Sequence, residues 1–440
     1  MKILKLKKMD MLTISLLTFS LFFGAGNLMF PPMLGKEAGT NLLTTMFYFS
    51  ITAIIFPILA VIAVTRYGGL KKLAERVDST FALIFTIAAY LAIGPALAIP
   101  RAGTLPFEIA VVPYLSEGNM KIGLLVYSFV FFLIVYWFSL SPNKLLDRIG
   151  KILSPAFLLL VILLFIGTFI KPLGAYAEPM EKYSVFYGVH GFLDGYMTLD
   201  VLAGLNYGLV VAYIIKDKGV NKPEDVENII VRTGFLSGIF LFIVYMMLAH
   251  IGAITGNIFP ESQNGIEILS FVSKHIYGKL GFVLLSGMFT IACLNIGIGL
   301  ITSISQYFQQ LIPKISYKIW ATFWTVLSFL IANMGLKKIM EYSVPVLLAI
   351  YPSGIVLVIL SFLDKKIGKS KIVYSMTIYP TLIVSIINTF DKINITVPVF
   401  SELTKKLPLY ALDLPWVTVS IVSFIIGIIV KILNDRRESI

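Results

Sequence analysis

The residues best suited to hold a polar solute lie inside an apolar stretch near the start of the chain. Residues 21–32 read Leu-Phe-Phe-Gly-Ala-Gly-Asn-Leu-Met-Phe-Pro-Pro, within an apolar run from Met9 to Leu34 that is long enough to cross a bilayer as a helix. Gly24 and Gly26 weaken that helix near its middle. A helix broken in a membrane frees amides that hold an anion and carbonyls that hold a cation. The alternative is a small-residue face for close helix packing.

A second polar position lies in the apolar run 192–215. Residues 195–208 read Gly-Tyr-Met-Thr-Leu-Asp-Val-Leu-Ala-Gly-Leu-Asn-Tyr-Gly, which puts Asp200 close to the middle of the membrane. A charged side chain at that depth costs about 2.5–3.5 kcal/mol on insertion scales, so Asp200 is predicted to face the bundle interior and to be functional. The alternative is a structural carboxylate that caps the helix segment after a break.

A third apolar run contains the pairs Gly94-Pro95 and Pro100-Arg101 and then Pro106. Because proline removes a backbone donor, this pattern predicts another interrupted helix. Arg101 and Glu108 are seven residues apart and share a face where helical geometry persists. We predict that these two residues gate the site or carry a proton.

The composition determines the protein class. Of the 440 residues, 58% are hydrophobic and 14% are charged, which indicates an all-α polytopic membrane protein. The net charge of +12 comes from short basic blocks between apolar runs, so we expect no nucleic-acid partner. The single cysteine, Cys293, allows no disulfide framework.

The elements that position these residues are apolar spans. We predict about twelve transmembrane helices, near 11–34, 41–65, 80–100, 122–140, 152–170, 192–215, 233–254, 280–309, 319–334, 339–362, 372–390 and 411–432. With this assignment 24 of the 36 basic residues lie on the side of the two termini, so both termini are predicted to be cytoplasmic.

The two interrupted spans are the first and the sixth, five spans apart. The sequence therefore predicts a single transmembrane domain with a five-helix repeat at 9–171, an inverted copy at 192–362 and two further helices at 372–432. Broken helices at matching positions of such repeats are typical of a transport site near the membrane midplane.

Four stretches together resemble the bacterial branched-chain amino acid:cation symporters, the BrnQ-type carriers. They are residues 21–32, residues 93–104 with the following Phe107-Glu108, residues 191–200, and residues 291–300, which read Ile-Ala-Cys-Leu-Asn-Ile-Gly-Ile-Gly-Leu. The resemblance implies a LeuT-like fold in the bacterial cytoplasmic membrane. It also implies import of leucine, isoleucine and valine, driven by Na⁺ or H⁺ and with no other cofactor.

The resemblance also implies roles for particular residues. The substrate would be bound by Gly24, Ala25, Gly26, Tyr196, Thr198 and Asp200, and the cation by Ser20, Phe23, Asn27, Ala292 and Asn295. Ile296 departs from the expected pattern, because a hydroxyl residue is expected there at a sodium site. Asp200 and Glu108 are then the alternative proton carriers.

Three other functions are weaker interpretations of this sequence. A carrier for another small amino acid or an amine fits the same features. A membrane-embedded enzyme has little support, because His190, His250 and His275 are scattered without metal-ligand spacing. A channel has little support because no repeated pore loop or ring of charges is visible.

Overall fold

A computed structural model describes residues 6–438, and in this part of the chain the regular secondary structure is helical, with no β-strand. The α-helices are α1 (Lys8–Phe22), α2 (Ala25–Ala38), α3 (Leu42–Ser50), α4 (Phe56–Tyr67), α5 (Leu70–Ala74), α6 (Ser79–Ile93), α7 (Ile99–Ala110), α8 (Met120–Ser139), α9 (Ser154–Ile170), α10 (Glu181–Val185), α11 (Tyr187–Tyr196), α12 (Asp200–Asp217), α13 (Pro223–Ala253), α14 (Gly265–Tyr277), α15 (Lys279–Leu311), α16 (Tyr317–Ala332), α17 (Leu336–Leu363), α18 (Lys371–Lys392), α19 (Phe400–Lys405) and α20 (Pro415–Glu438). Short π-helical segments lie at Ile51–Ile55, Gly94–Ala98 and Leu146–Leu153.

Nine helical stretches of the described chain are long and apolar enough to cross a membrane. The bent pair Tyr187–Tyr196 and Asp200–Asp217 makes a tenth if the two helices together count as one span. One stretch, Gly26–Tyr67, has 42 residues. At 1.5 Å per residue it would span about 63 Å, roughly twice the hydrocarbon thickness, so it makes more than one crossing. The chain is a multi-pass membrane protein, and the count of twelve stays a prediction.

The first helix is interrupted over fewer residues than the sequence predicts. Helix α1 ends at Phe22, Phe23 and Gly24 are extended, and α2 begins at Ala25. The sequence places the weak point at both Gly24 and Gly26, but Gly26 already lies in the first turn of α2. The reason is that the Asn27 side chain accepts the Gly24 amide, and this contact starts the first turn of α2.

The second interruption lies where the sequence predicts it. Helix α11 ends at Tyr196, and the Thr198 hydroxyl donates to the Gly195 carbonyl at 2.8 Å. Leu199 has a φ of 60°, the left-handed conformation that side chains such as leucine rarely adopt. Helix α12 then begins at Asp200 and is tilted by 47° from α11.

The third predicted interruption was wrong. Helices α6 and α7 belong to one apolar helical stretch, Ser79–Tyr114, joined by the π-helical segment Gly94–Ala98. Pro95 and Pro100 each lie in the first turn of a new segment, where a backbone amide has no intrahelical partner to lose. The prolines thus shape this helix without ending it.

The remaining surface is apolar where lipid is expected. Helices α8, α9 and α20 carry exposed large apolar side chains, among them Phe129, Trp137, Ile170 and Ile425. Helix α2 lies on the inside of the bundle, where it packs against α13 and α14. This position puts the first interruption at the centre of the molecule.

Candidate functional site

The two helix interruptions meet through one side chain. Asn27 Nδ2 donates to Asp200 Oδ2 at 2.6 Å and to the Tyr245 hydroxyl at 2.5 Å, and Asn27 Oδ1 accepts the Gly24 amide at 3.2 Å. This orientation of the amide is the chemically required one, because the Gly24 N–H can only donate and so needs the Asn27 oxygen as its acceptor. Asn27 thus joins the beginnings of α2 and α12 to α13.

Both helices begin at this point, so their free amides face it. The first amides of a helix have no intrahelical partners and carry a partial positive charge. In α2 these amides start at Ala25, and in α12 they start at Asp200, whose side chain is buried. The arrangement provides donors for an anionic group next to one fixed carboxylate.

Tyrosines that were not predicted from the sequence lie near Asp200. The hydroxyls of Tyr207 and Tyr351 are buried without a hydrogen-bond partner among the described residues, and both interact electrostatically with Asp200. The predicted residue, Tyr196, packs edge-on against Tyr351 with ring centroids 4.7 Å apart. A tyrosine deep inside an apolar span was the only sequence signal for Tyr207, Tyr245 and Tyr351.

Arg101 of α7 lies beside the start of α2. A Cβ atom added at Gly26 would lie 3.8 Å from Arg101 Nη2 and 3.5 Å from the Phe30 ring, which are ordinary contact distances. Gly26 is therefore in ordinary contact distance of a guanidinium group and has room for a Cβ atom. Arg101 and Asp200 attract each other electrostatically, although no ion pair within 4.0 Å joins them in the described chain.

Glu108, the other predicted gating residue, lies in different surroundings. It is exposed and lines a cavity of about 850 Å³ between α7, α14 and α15. Other charged side chains in the cavity wall are Glu267, Lys274 and Lys279. The structure therefore separates Glu108 from the contacts around Asp200.

Comparison with known proteins identifies the family. Residues 7–434 match the family described as Branched-chain amino acid transport protein. The chain is 38% identical over 425 residues to the branched-chain amino acid permease BraB of Bacillus subtilis, covering 96% of each chain. It is also 38% identical to the permease BrnQ of Lactobacillus delbrueckii subsp. lactis, covering 98% of this chain and 99% of that one.

The chain belongs to the branched-chain amino acid transport protein family. The resemblance found in the sequence is thereby confirmed, and the relatives are permeases and carriers rather than enzymes.

Two solved structures agree in fold with this transport protein. MhsT in complex with L-phenylalanine has a TM-score of 0.54 at 16% identity and covers 96% of this chain and 98% of that one. A nucleobase-cation-symport-1 family transporter, closed with bromovinylhydantoin bound, has a TM-score of 0.58 at 12% identity, covering 95% and 91%. These likenesses confirm the predicted LeuT-like all-α fold, and at such identities they show the fold alone.

The predicted cation ligands of this transport protein lie on both sides of the first interruption. The Gly24 amide donates to Asn27, so the Ser20 carbonyl lacks the amide that would continue α1. The Ser20 hydroxyl donates to Ser154 Oγ at 2.6 Å. The Phe23 ring packs between Phe157 and Tyr245, at centroid distances of 4.7 and 5.6 Å.

The ligands predicted on α15 are Ala292 and Asn295, and both are buried. Asn295 Oδ1 has no hydrogen-bond partner within the described chain, which leaves an oxygen free for a cation or a water molecule. Ile296 instead contacts the interruption: a Cβ atom at Gly24 would lie only 2.0 Å from its Cδ1 atom. Where a hydroxyl was expected, α15 thus presents the Ile296 methyl group to Gly24 in the interruption.

Proposed function

We propose that this chain is a secondary active transporter that imports leucine, isoleucine and valine together with a cation, by alternating access. The observation that carries this proposal is the hydrogen bond from Asn27 to Asp200, which joins the starts of two interrupted helices inside the bundle. Transporters with inverted repeats hold substrate and coupling ion at such helix ends. Family membership supports the substrate class, because the relatives are named branched-chain amino acid permeases.

The substrate is held by its charged groups, and its side chain is accommodated by apolar contacts. The amides of Ala25 and Gly26 face the substrate carboxylate, beside Gly24, whose own amide is bonded to Asn27. The residues around the second interruption, Tyr196, Thr198 and Asp200, complete the site. Each buried methylene contributes about 0.8 kcal/mol, so the three branched-chain amino acids compete within roughly tenfold to a hundredfold. Lysine and glutamate do not compete, because their extra charge would enter an apolar pocket.

One coupled cation supplies enough energy for this import. A single charge moving through about 150 mV gains roughly 3.5 kcal/mol, enough for a few hundred-fold accumulation of a zwitterion. For Na⁺ the ligands are the carbonyls of Ser20, Phe23 and Ala292 and the side chains of Asn27 and Asn295. For H⁺ the carrier is Asp200 or Glu108. The methyl group of Ile296 favours coupling to H⁺, because a sodium site would have a hydroxyl at this position.

Counterflow in proteoliposomes tests the function. Vesicles loaded with unlabelled leucine should take up labelled leucine faster than empty vesicles, because a carrier exchanges across the membrane whereas a channel or an enzyme does not. Net uptake is then measured with an inward Na⁺ gradient at fixed pH and, separately, with an inward H⁺ gradient. Stimulation by one gradient alone identifies the ion, and exchange of an amine or another amino acid without leucine would refute the substrate assignment.

The same proposal includes the location and the topology. The chain lies in the bacterial cytoplasmic membrane with both termini in the cytoplasm, and it contains two inverted five-helix repeats. In a Cys293→Ala background, single cysteines are placed at exposed positions, Gln263 and Thr396 on the proposed outer side and Asn143 and Lys366 on the inner side. An impermeant thiol reagent added to whole cells should label only the first pair. Labelling of the second pair instead would invert the topology.

A further inference from the structure

We infer that the substrate is bound between two opposite charges: Arg101 binds the α-carboxylate and Asp200 binds the α-ammonium. This inference rests on the proposed function and assigns the two charged ends of the amino acid to two side chains. It changes the role of Arg101 from the predicted gating or proton transfer to direct recognition, alongside the amides at the start of α2.

Arg101 lies where it can reach a ligand at the start of α2. Its side chain is only partly buried and lies beside Gly26, where a Cβ atom would meet nothing closer than 3.5 Å. Among the described residues its guanidinium group makes no hydrogen bond or ion pair, and the Thr104 hydroxyl bonds to the Arg101 carbonyl instead. Arginine stays charged in proteins, and an uncompensated charge in the interior is strongly destabilising. An anionic ligand with two oxygens supplies the missing partner.

Asp200 has no ion-pair partner within 4.0 Å among the described residues. One of its carboxylate oxygens accepts a hydrogen bond from Asn27, an uncharged partner. The positive charge that acts on it is Arg101, which attracts it without reaching ion-pair distance. Arg101 Nη2 lies near Gly26 and Asp200 is bonded to the adjacent Asn27, so both charged groups lie at the start of α2. The two charged groups of an amino acid are carried by neighbouring atoms, so one zwitterion satisfies both side chains.

Two tyrosine hydroxyls support the position of the ammonium group. Tyr207 and Tyr351 are almost completely buried, and their hydroxyl groups have no hydrogen-bond partner in the described chain. Both act electrostatically on Asp200, so they lie on its side of the site. A hydroxyl oxygen accepts hydrogen bonds from an ammonium group. Such buried unpaired groups require a partner, and the ammonium group of a substrate supplies it.

The arrangement has a consequence for selectivity. An amide of leucine keeps the ammonium group but offers no carboxylate to Arg101. Isocaproate keeps the carboxylate and the branched chain but offers no ammonium to Asp200. Each analogue leaves one buried charge unpaired, so each should bind far more weakly than leucine. Because the zwitterion has no net charge, the charge moved in a transport cycle is that of the coupling cation alone.

The test compares wild type with Arg101→Gln and Arg101→Lys in proteoliposomes, and it measures the leucine concentration that gives half-maximal counterflow. We expect Arg101→Gln to raise that concentration by at least about 100-fold, and Arg101→Lys to raise it less because lysine keeps the charge without the planar fork. The matched control is Arg66→Gln, which removes a surface ion pair with Glu227 and should change the value by no more than about threefold. An unchanged value for Arg101→Gln would overturn the inference while leaving the transport function intact.

Competition on the wild-type protein gives a second, independent measurement. L-leucinamide and isocaproate should each inhibit leucine counterflow at least about 100-fold more weakly than isoleucine does. Equal inhibition by leucinamide would overturn the role of Arg101, and this result decides the question even if Arg101→Gln fails to fold. If wild type exchanges no leucine at all, the proposed function fails. The roles of Arg101 and Asp200 are then tested by melting temperature: a zwitterionic amino acid should stabilise the protein against heat more than the amide of the same amino acid does, and equal stabilisation would overturn these roles.

Discussion

Gly26 and Gly35 lie on the same helix, nine residues apart, and their surroundings are opposite. A Cβ atom at Gly35 would lie 1.9 Å from the backbone carbonyl oxygen of Ala249, so only glycine fits there. A Cβ atom at Gly26 would meet ordinary contacts, at 3.5 Å or more. The far end of α2 is therefore a packing surface, and its beginning borders the candidate site.

The packing surface continues along the rest of α2. A Cβ atom at Gly252 would lie 1.8 Å from the Pro32 carbonyl oxygen, and one at Gly265 would lie 2.1 Å from that of Met29. Lys36 is buried and donates to the carbonyls of Pro260 and Ser262, at 2.6 and 2.7 Å. These contacts tie α2 to α13, to the connection after it and to α14, so we expect these elements to move together.

The difference shows that the two interpretations of the small residues apply to different positions. Close packing explains Gly35, whereas Gly26 has no backbone neighbour in its way and lies near Arg101, so its binding role stays a prediction. Gly24 is intermediate, because its close neighbour is the end of the Ile296 side chain rather than backbone. What a glycine does is decided by the atoms it faces, and these come from distant parts of the chain.

The largest effect is expected at the packing surface, for Gly252→Ala. Its Cβ atom would overlap the Pro32 carbonyl, and neither backbone can move without shifting a helix. We expect a loss of about 3 kcal/mol or more in stability, seen as a lower yield of monodisperse protein and a lower melting temperature in detergent. The control is Gly118→Ala, where a Cβ atom has no neighbour within 4 Å. Equal behaviour of the two variants would refute the packing role.

The sequence predicted those parts of the site that depend on local rules. Glycines in an apolar run located the first interruption, and a buried aspartate located the second, since both weaken or cap a helix through neighbouring atoms. The hydrogen bond from Asn27 to Asp200 joins residues 173 positions apart. No spacing rule reaches that far, so the sequence named both residues without pairing them.

The parts that the sequence missed depend on the packing of helices. The prolines near Gly94 predicted a break, but a π-helical segment accommodates them and the helix continues. Tyr207, Tyr245 and Tyr351 resemble any other aromatic residue of an apolar span until the bundle brings them to Asp200. Ile296 was noted for the oxygen it lacks, whereas its contact with Gly24 became visible only in the structure.

The next largest effect concerns binding, for Gly26→Leu. An alanine at this position has room, but a leucine side chain would extend into the space beside Arg101 that the substrate is proposed to fill. We expect Gly26→Leu to weaken leucine binding by more than about 100-fold, with a melting temperature close to that of wild type, and Gly26→Ala to weaken it by less than about tenfold. Normal leucine binding by Gly26→Leu, or binding lost only because the protein unfolds, would remove the start of α2 from the site.

The smallest effect is expected for Gly24→Ala, because its obstacle is a flexible side chain. The new Cβ atom would lie 2.0 Å from Ile296 Cδ1 and 3.2 Å from Cγ1, so the isoleucine must change its rotamer or α15 must shift slightly. The φ of −116° at Gly24 suits any residue, so no backbone strain is added. We expect a stability loss of about 1 kcal/mol, measured as a lower melting temperature in detergent.

Ile296→Val removes the obstructing Cδ1 atom and keeps the rest of the side chain, so it provides the matched rescue for Gly24→Ala. In the double variant the remaining contact is the one at 3.2 Å, which a shift of a few tenths of an ångström relieves. The melting temperature of the double variant should therefore exceed that of Gly24→Ala alone, although Ile296→Val by itself costs about 0.5–1.5 kcal/mol. Simple addition of the two losses would show that Gly24 is limited by something other than Ile296, and it would place Gly24 with Gly26 on the binding side of the comparison.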